Sequence, residues 1–199
     1  MKRFLCLISL ALVILLVPAF GGTGRACVGR ILRMGVVDNP GSRVLSELYI
    51  VLIAERTGTT ANPVFFKSEQ LMYQAAAKGK LDFMIDNTEQ AGPEAASLGM
   101  RLGPMPAAKK YMMIKKAFEQ RLGLVWLTAF PVRAAGGIAM AAPVISQKAL
   151  ENFPILPRVL NMLVRFMNPP TLNRLVALQT RGANMHHEAE DFLKTRRLI

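Results

Sequence analysis

Cysteine is scarce: 199 residues hold two, Cys6 and Cys27. Cys6 lies in an apolar leader that runs from Phe4 to Phe20, behind the basic start Met1, Lys2 and Arg3. The leader is short, Pro18 closes it, and the small residues Gly21 to Ala26 follow, with Arg25 among them. This is the pattern of a secretory signal peptide over residues 1–26, not of a membrane span. Export then leaves one cysteine, so the fold has to hold without an internal disulfide. Cys27 would stand at the new N-terminus, where a lipoprotein carries its acyl chain. The preceding Thr-Gly-Arg-Ala lacks the usual aliphatic residue, so three fates stay open: export as a free chain, a lipid anchor at Cys27, or a leader left uncleaved as the anchor.

Acids are also few. Against 25 lysines and arginines stand 13 aspartates and glutamates, for a net charge of +12. The leader holds three of the basic residues and no acid, so residues 27–199 carry about +9. Nucleic acid is one partner for such a charge. Export and the scatter of the basic residues exclude it in favour of a solvated surface near anionic membrane. No nucleophile elbow, phosphate loop or zinc-protease motif occurs, which argues against an enzyme and calls for no cofactor. His186, His187 and Glu190 have metal-ligand types at helical spacing, but a metal site needs further ligands, and an exposed helix start is the plainer reading.

What is present is an α/β pattern. Arg33 to Val37 reads as a strand. Asp38 to Ser42 is a turn, and Ser42 starts and caps a helix that Gly58 closes. Asn62 to Phe66 is a second strand. Ser68 to Lys78 is a second helix, stopped by Gly79. Leu81 to Ile85 is a third strand. Apolar strands joined by helices imply parallel pairing. A short helix over Pro93–Leu98 and a longer one over Ala107–Arg121 follow, the latter with Lys109, Lys110, Lys115 and Lys116 outside. Gly123 to Leu127 is a fourth strand, with Trp126 in the core. Pro131 to Gly137 reads as a loop, and Gly137 to Ala142 as a fifth strand. From Ser146 the chain is helical: Gln147–Asn152, Ile155–Met167, Pro170–Thr180 and His186–Lys194. The organisation is an α/β lobe over 27–145 and a helical C-terminal segment over 146–199 that packs on it through Leu156, Val159, Leu160 and Leu163.

In open α/β sheets ligands collect at the carboxyl ends of the strands. Those ends carry Asp38, Asn39, Asp86, Asn87 and Thr88. With Ser42, at a helix N-terminus suited to an anion, they form the candidate ligand site. Asp82 shares a strand face with Asp86 but reads as structural.

Ile31 to Asp38 (Ile-Leu-Arg-Met-Gly-Val-Val-Asp), Ser46-Glu-Leu and Glu55-Arg-Thr-Gly resemble the start of substrate-binding proteins of glycine betaine/choline-type ABC importers. Ala77-Lys-Gly-Lys-Leu-Asp-Phe and Arg121-Leu-Gly-Leu-Val-Trp-Leu resemble their later steps. Ala142-Pro-Val-Ile, Leu150-Glu-Asn-Phe-Pro-Ile-Leu and Glu190-Asp-Phe-Leu-Lys resemble their tail. The resemblance implies a type II periplasmic-binding-protein fold, a small zwitterionic or quaternary ammonium solute, and an ABC permease as partner. It also implies two lobes, whereas here the hinge-entry stretch reaches the tail within about a dozen residues, too few for a domain. One lobe is therefore expected: a mostly parallel sheet of about four to five strands flanked by helices. The family's aromatic cage for a cation has no match beside Asn39 or in Met84 to Thr88. A one-lobe binder must dimerise to bury its solute or bind it weakly. The alternative is a remnant that serves as a protein-interaction or regulatory module without solute.

Overall fold

The computed structural model describes residues 31–199; the leader and Cys27 lie outside them. In chain order the elements are β1 (Leu32–Val37), α1 (Pro40–Thr57), β2 (Ala61–Phe66), α2 (Glu69–Ala77), β3 (Phe83–Asn87), α3 (Gly92–Ser97) and α4 (Ala107–Leu122). Then come β4 (Leu124–Trp126), β5 (Phe130–Ala134), β6 (Gly137–Ser146), α5 (Gln147–Asn152), α6 (Leu156–Val164), α7 (Pro169–Thr180) and α8 (Met185–Thr195).

The six strands form one sheet in the order β2-β1-β3-β6-β4, with β5 also on β6. β1 pairs parallel with β2 and β3. β6 runs antiparallel to β3, β4 and β5. The lobe is α/β as expected, but the sheet is mixed, parallel only in the half where helices make the crossovers. The second half turns antiparallel because β5 and β6 are joined by a tight hairpin, Ala134 lying opposite Gly137. The stretch expected to be a loop, Pro131 to Gly137, thus contains most of a strand. Phe130 and Val132 point inward while Pro131 and Arg133 are exposed, the alternation of a half-buried strand. β6 also continues past Ala142 to Ser146.

Side chains alternate across the sheet into two cores. Leu32, Met34 and Val36 of β1, Phe83 and Ile85 of β3 and Ile145 of β6 pack with α1 and the C-terminal helices. Met84, Val144 and Trp126 pack on the other face with Met72, Tyr73, Ile114 and Phe118. Burial on both faces explains why β1 and β3 read as nearly continuous apolar runs. Gly35 sits where a Cβ would come within 2.6 Å of Leu81, 3.1 Å of Met72 on α2 and 3.2 Å of Met84 on β3. Its lack of a side chain lets α2 and β3 close on β1.

α1 is buried on more than one side. Val44, Leu48, Val51 and Leu52 are joined in burial by Tyr49 and Ile53, because α6, α7 and α8 cover the face turned away from the sheet. Trp126 is fully buried, ringed edge-on by Phe118 at 5.9 Å and Tyr111 at 6.2 Å. Among the described residues no helix is long and apolar enough to cross a membrane.

Candidate functional site

β1 and β3 end side by side, and the chain leaves each through a polar turn. After β1, Asn39 takes an extended conformation and its side chain accepts from the Ser42 amide at 2.9 Å. Asn39 is therefore the helix cap, and Pro40 occupies the first turn, where its missing N–H costs nothing. Ser42, expected to cap, lies inside the helix instead. After β3, the Asn87 side chain accepts from the amides of Glu89 at 3.0 Å and Gln90 at 3.1 Å and donates to the Gln90 side chain. Thr88 is buried, its hydroxyl accepting from the Met140 amide at 3.2 Å and its own amide donating to Met140 oxygen at 3.0 Å.

Between these turns and the β5–β6 hairpin lies an open cleft of about 490 Å³. It contains four of the six residues expected from the sequence: Asn39, Ser42, Asp86 and Asn87. Asp38 and Thr88 are not among its lining residues. Asp38 is exposed and paired with Arg43 at 2.6 Å, and that bond from the guanidinium holds its carboxyl below the usual range. Arg43 in turn lies over the Phe65 ring at 4.6 Å. Thr88 is spent on the β3–β6 pairing.

Asp86 forms the floor. One carboxyl oxygen accepts the Tyr73 hydroxyl and the other the Asn87 amide at 2.7 Å. Burial pushes its pKa up to about 7, against the opposing pull of those two hydrogen bonds, and nearby Glu69 raises it further. Behind it runs an aromatic series: Tyr73 packs edge-on against Phe118 at 5.5 Å, and Phe118 against Trp126. These rings lie in the core, and none of the cleft's lining residues is aromatic.

The sequence reading missed Glu69, Glu89 and Arg133. Glu69 starts α2 beside the cap Ser68, whose hydroxyl accepts from the Leu71 amide. Glu89 accepts from the Gly136 amide at 3.1 Å, tying the turn after β3 to the hairpin tip. Arg133 arrives on β5, the strand not foreseen, and only recognition of the Phe130/Val132 alternation would have brought it in. Asp82 lies at the opposite end of β3, bonded to the Arg33 amide at 2.8 Å and paired with its side chain at 3.1 Å. His186 lies at the α8 start between Glu47, at 3.6 Å, and Glu190, at 3.5 Å.

A helix-flanked sheet with a polar cleft at its strand ends, walled by the β5–β6 hairpin, has the architecture of a solute-binding lobe. Residues 31–154 match the family model for the substrate-binding domain of the ABC-type glycine betaine transport system. The match spans more than half of the chain, and the chain belongs to that family. Solved structures agree in fold. One is the crystal structure of a glycine betaine/carnitine/choline ABC transporter protein, with a TM-score of 0.73 at 11% identity, covering 85% of this chain and 98% of that one. Another is apo YehZ from Escherichia coli, with a TM-score of 0.70 at 13% identity, covering 84% and 99%. No curated protein matches the sequence.

Proposed function

We propose that the cleft takes up a small zwitterionic or quaternary ammonium solute, of the glycine betaine or choline kind, and presents it to an ABC permease. The observation that carries this reading is the charge pattern of the wall. Glu69 and Glu89 stand with a single cation, Arg133, around one opening whose floor is Asp86, its carboxyl already taken by Tyr73 and the Asn87 amide. The carboxylates suit an ammonium group. Arg133 and the first turn of α1, at Gly41 and Ser42, suit a carboxylate.

With no ring in the lining, the cation is held by carboxylates rather than by an aromatic cage. A cleft open on one side buries only part of a small ligand. A second copy facing the opening would complete the enclosure, and without it the affinity is low. The leader places the protein outside the cytoplasm, at the outer face of the membrane if Cys27 is acylated.

Calorimetry of residues 27–199 with glycine betaine, choline, carnitine and proline tests the reading. Saturable heat is expected for at least one of the four. Arg133→Ala should weaken a zwitterion such as glycine betaine by about tenfold or more, the loss of one charge-assisted hydrogen bond, and leave choline, which has no carboxylate, unchanged. Silence across the panel, at concentrations high enough to detect weak binding, would refute a solute site and return the lobe to a protein-interaction role.

A further inference from the structure

Part of the excess positive charge is concentrated on one helix. α4 carries Lys109, Lys110, Lys115, Lys116 and Arg121 against a single acid, Glu119. It buries Ile114 and Phe118 in the core. Its outer face presents Lys109, Met112, Met113 and Lys116 at helical spacing, all exposed. Met112 is 63% exposed and Met113 36%. Two adjacent methionines at the centre of a lysine-rich face are poorly explained as mere solvated surface, since the lysines alone would keep the helix soluble. Among the described residues none of the four lysines is paired with a carboxylate. Lys115 lies over the Tyr111 ring at 5.9 Å, and Arg121 is turned back onto the Leu98 carbonyl.

We propose that this face of α4 seats the protein on an anionic phospholipid surface. The lysines meet the headgroup phosphates, and Met112 and Met113 enter the acyl boundary between them. An interfacial helix needs this combination of unpaired cations around a small apolar centre. The occupant is a lipid surface rather than an acidic protein because unbranched thioether side chains adapt to a fluid apolar layer and the cations ring them without a matching fork of arginines for protein carboxylates. No α4 residue lines the cleft, so the cleft stays open to solute while the helix is seated. Seating on lipid does not depend on the solute site and survives its failure.

Co-sedimentation of residues 27–199, which hold the whole described sheet and both cores but neither leader nor acyl chain, tests it. The probes are vesicles of phosphatidylcholine alone and of phosphatidylcholine with roughly a third phosphatidylglycerol. Binding is expected to the second and not the first, and to fade as salt rises. Lys109→Glu/Lys116→Glu should lower the partition by about tenfold or more, and Met112→Ser/Met113→Ser should lower it while leaving the salt dependence in place. Both pairs are exposed, so near-ultraviolet spectra matching the wild type confirm an intact fold. Equal binding to neutral vesicles, no binding to either, or variants that bind like the wild type would each overturn the proposal. Association with an acidic protein in the absence of vesicle binding overturns it in favour of a protein partner.

Discussion

Asp86 shows how one residue can be well placed and still not be free. It lies on the cleft floor, as its position at the end of β3 implied, but Tyr73 and the Asn87 amide occupy its carboxylate. Its chemistry is therefore read best through stability. In the unfolded chain an aspartate ionises near pH 4, whereas in the fold Asp86 holds its proton up to about pH 7. Between those values the unfolded state loses a proton that the folded state keeps. The contribution of Asp86 is thus fully present below pH 4, falls as pH rises, and levels off above 7. Asp86→Asn removes that titration and can keep both hydrogen bonds, donating to the Tyr73 oxygen and accepting from the Asn87 amide. Urea melts from pH 4.5 to 7.5 should show a shallower decline for the variant than for the wild type, and parallel profiles would rule out a proton held at Asp86.

At the scale of elements, the turn after β1 separates two residues of the same chemical type. Asn39 and Ser42 are both capping residues, and sequence favoured Ser42 because Pro40-Gly41 reads as a turn. The structure makes Asn39 the cap because Pro40 is at its best in a first helical turn. Asn39→Ala should destabilise by about 1 kcal/mol, seen as a lower urea midpoint, while Ser42→Ala should cost a small fraction of that. The reverse ranking would move the helix start. The helices and β1 to β3 were legible because each has a stated start, a stop such as Gly58, and a clean apolar period. β5 was not, because Pro131 and the small residues Ala134 to Gly137 carry turn chemistry, and only the pairing with β6 makes the stretch a strand. Arg133 and the hairpin wall of the cleft were lost with it. Glu69 and Glu89 were illegible for another reason: each sits one or two residues beyond a recognised signal and enters the cleft only through the three-dimensional closeness of α2, β3 and the hairpin. β2 shows a further design feature of a sheet edge. Leu32 donates to Thr60 and Asp38 to Phe66, so the even-numbered residues of β2 face β1 and Pro63 faces outward. An edge strand with a proline on its open side lacks a donor for another chain to pair with.

At the scale of the whole molecule, the family match and the folding unit have different limits. The match ends at residue 154, but the fold depends on the helices beyond it. α1 is the central helix of the first core, and Tyr49, Val51, Leu52 and Ile53 are kept from water by a layer to which α6, α7 and α8 contribute. That layer buries Leu156, Val159, Leu160, Leu163, Leu175, Phe192, Leu193 and Leu198, and Arg56 near the end of α1 donates to the Leu198 carbonyl at 2.6 Å. Fully burying one such side chain is worth roughly 1.5–3 kcal/mol, so a few of them together equal the roughly 5–15 kcal/mol that holds a typical domain folded. The matched segment alone, cut after Pro154, should therefore not fold. Trp126 makes the outcome easy to read, since it is the one tryptophan in the chain and lies in the opposite core, away from the cut. In residues 27–199 its emission should be that of a buried indole and should shift to the red in one cooperative urea transition. In the shortened chain it should be red-shifted from the start, with no transition. A shortened chain that kept a buried Trp126 and a sharp melt would show that the sheet and the second core fold without the C-terminal helices, and would make those helices an accessory layer rather than half of the lobe.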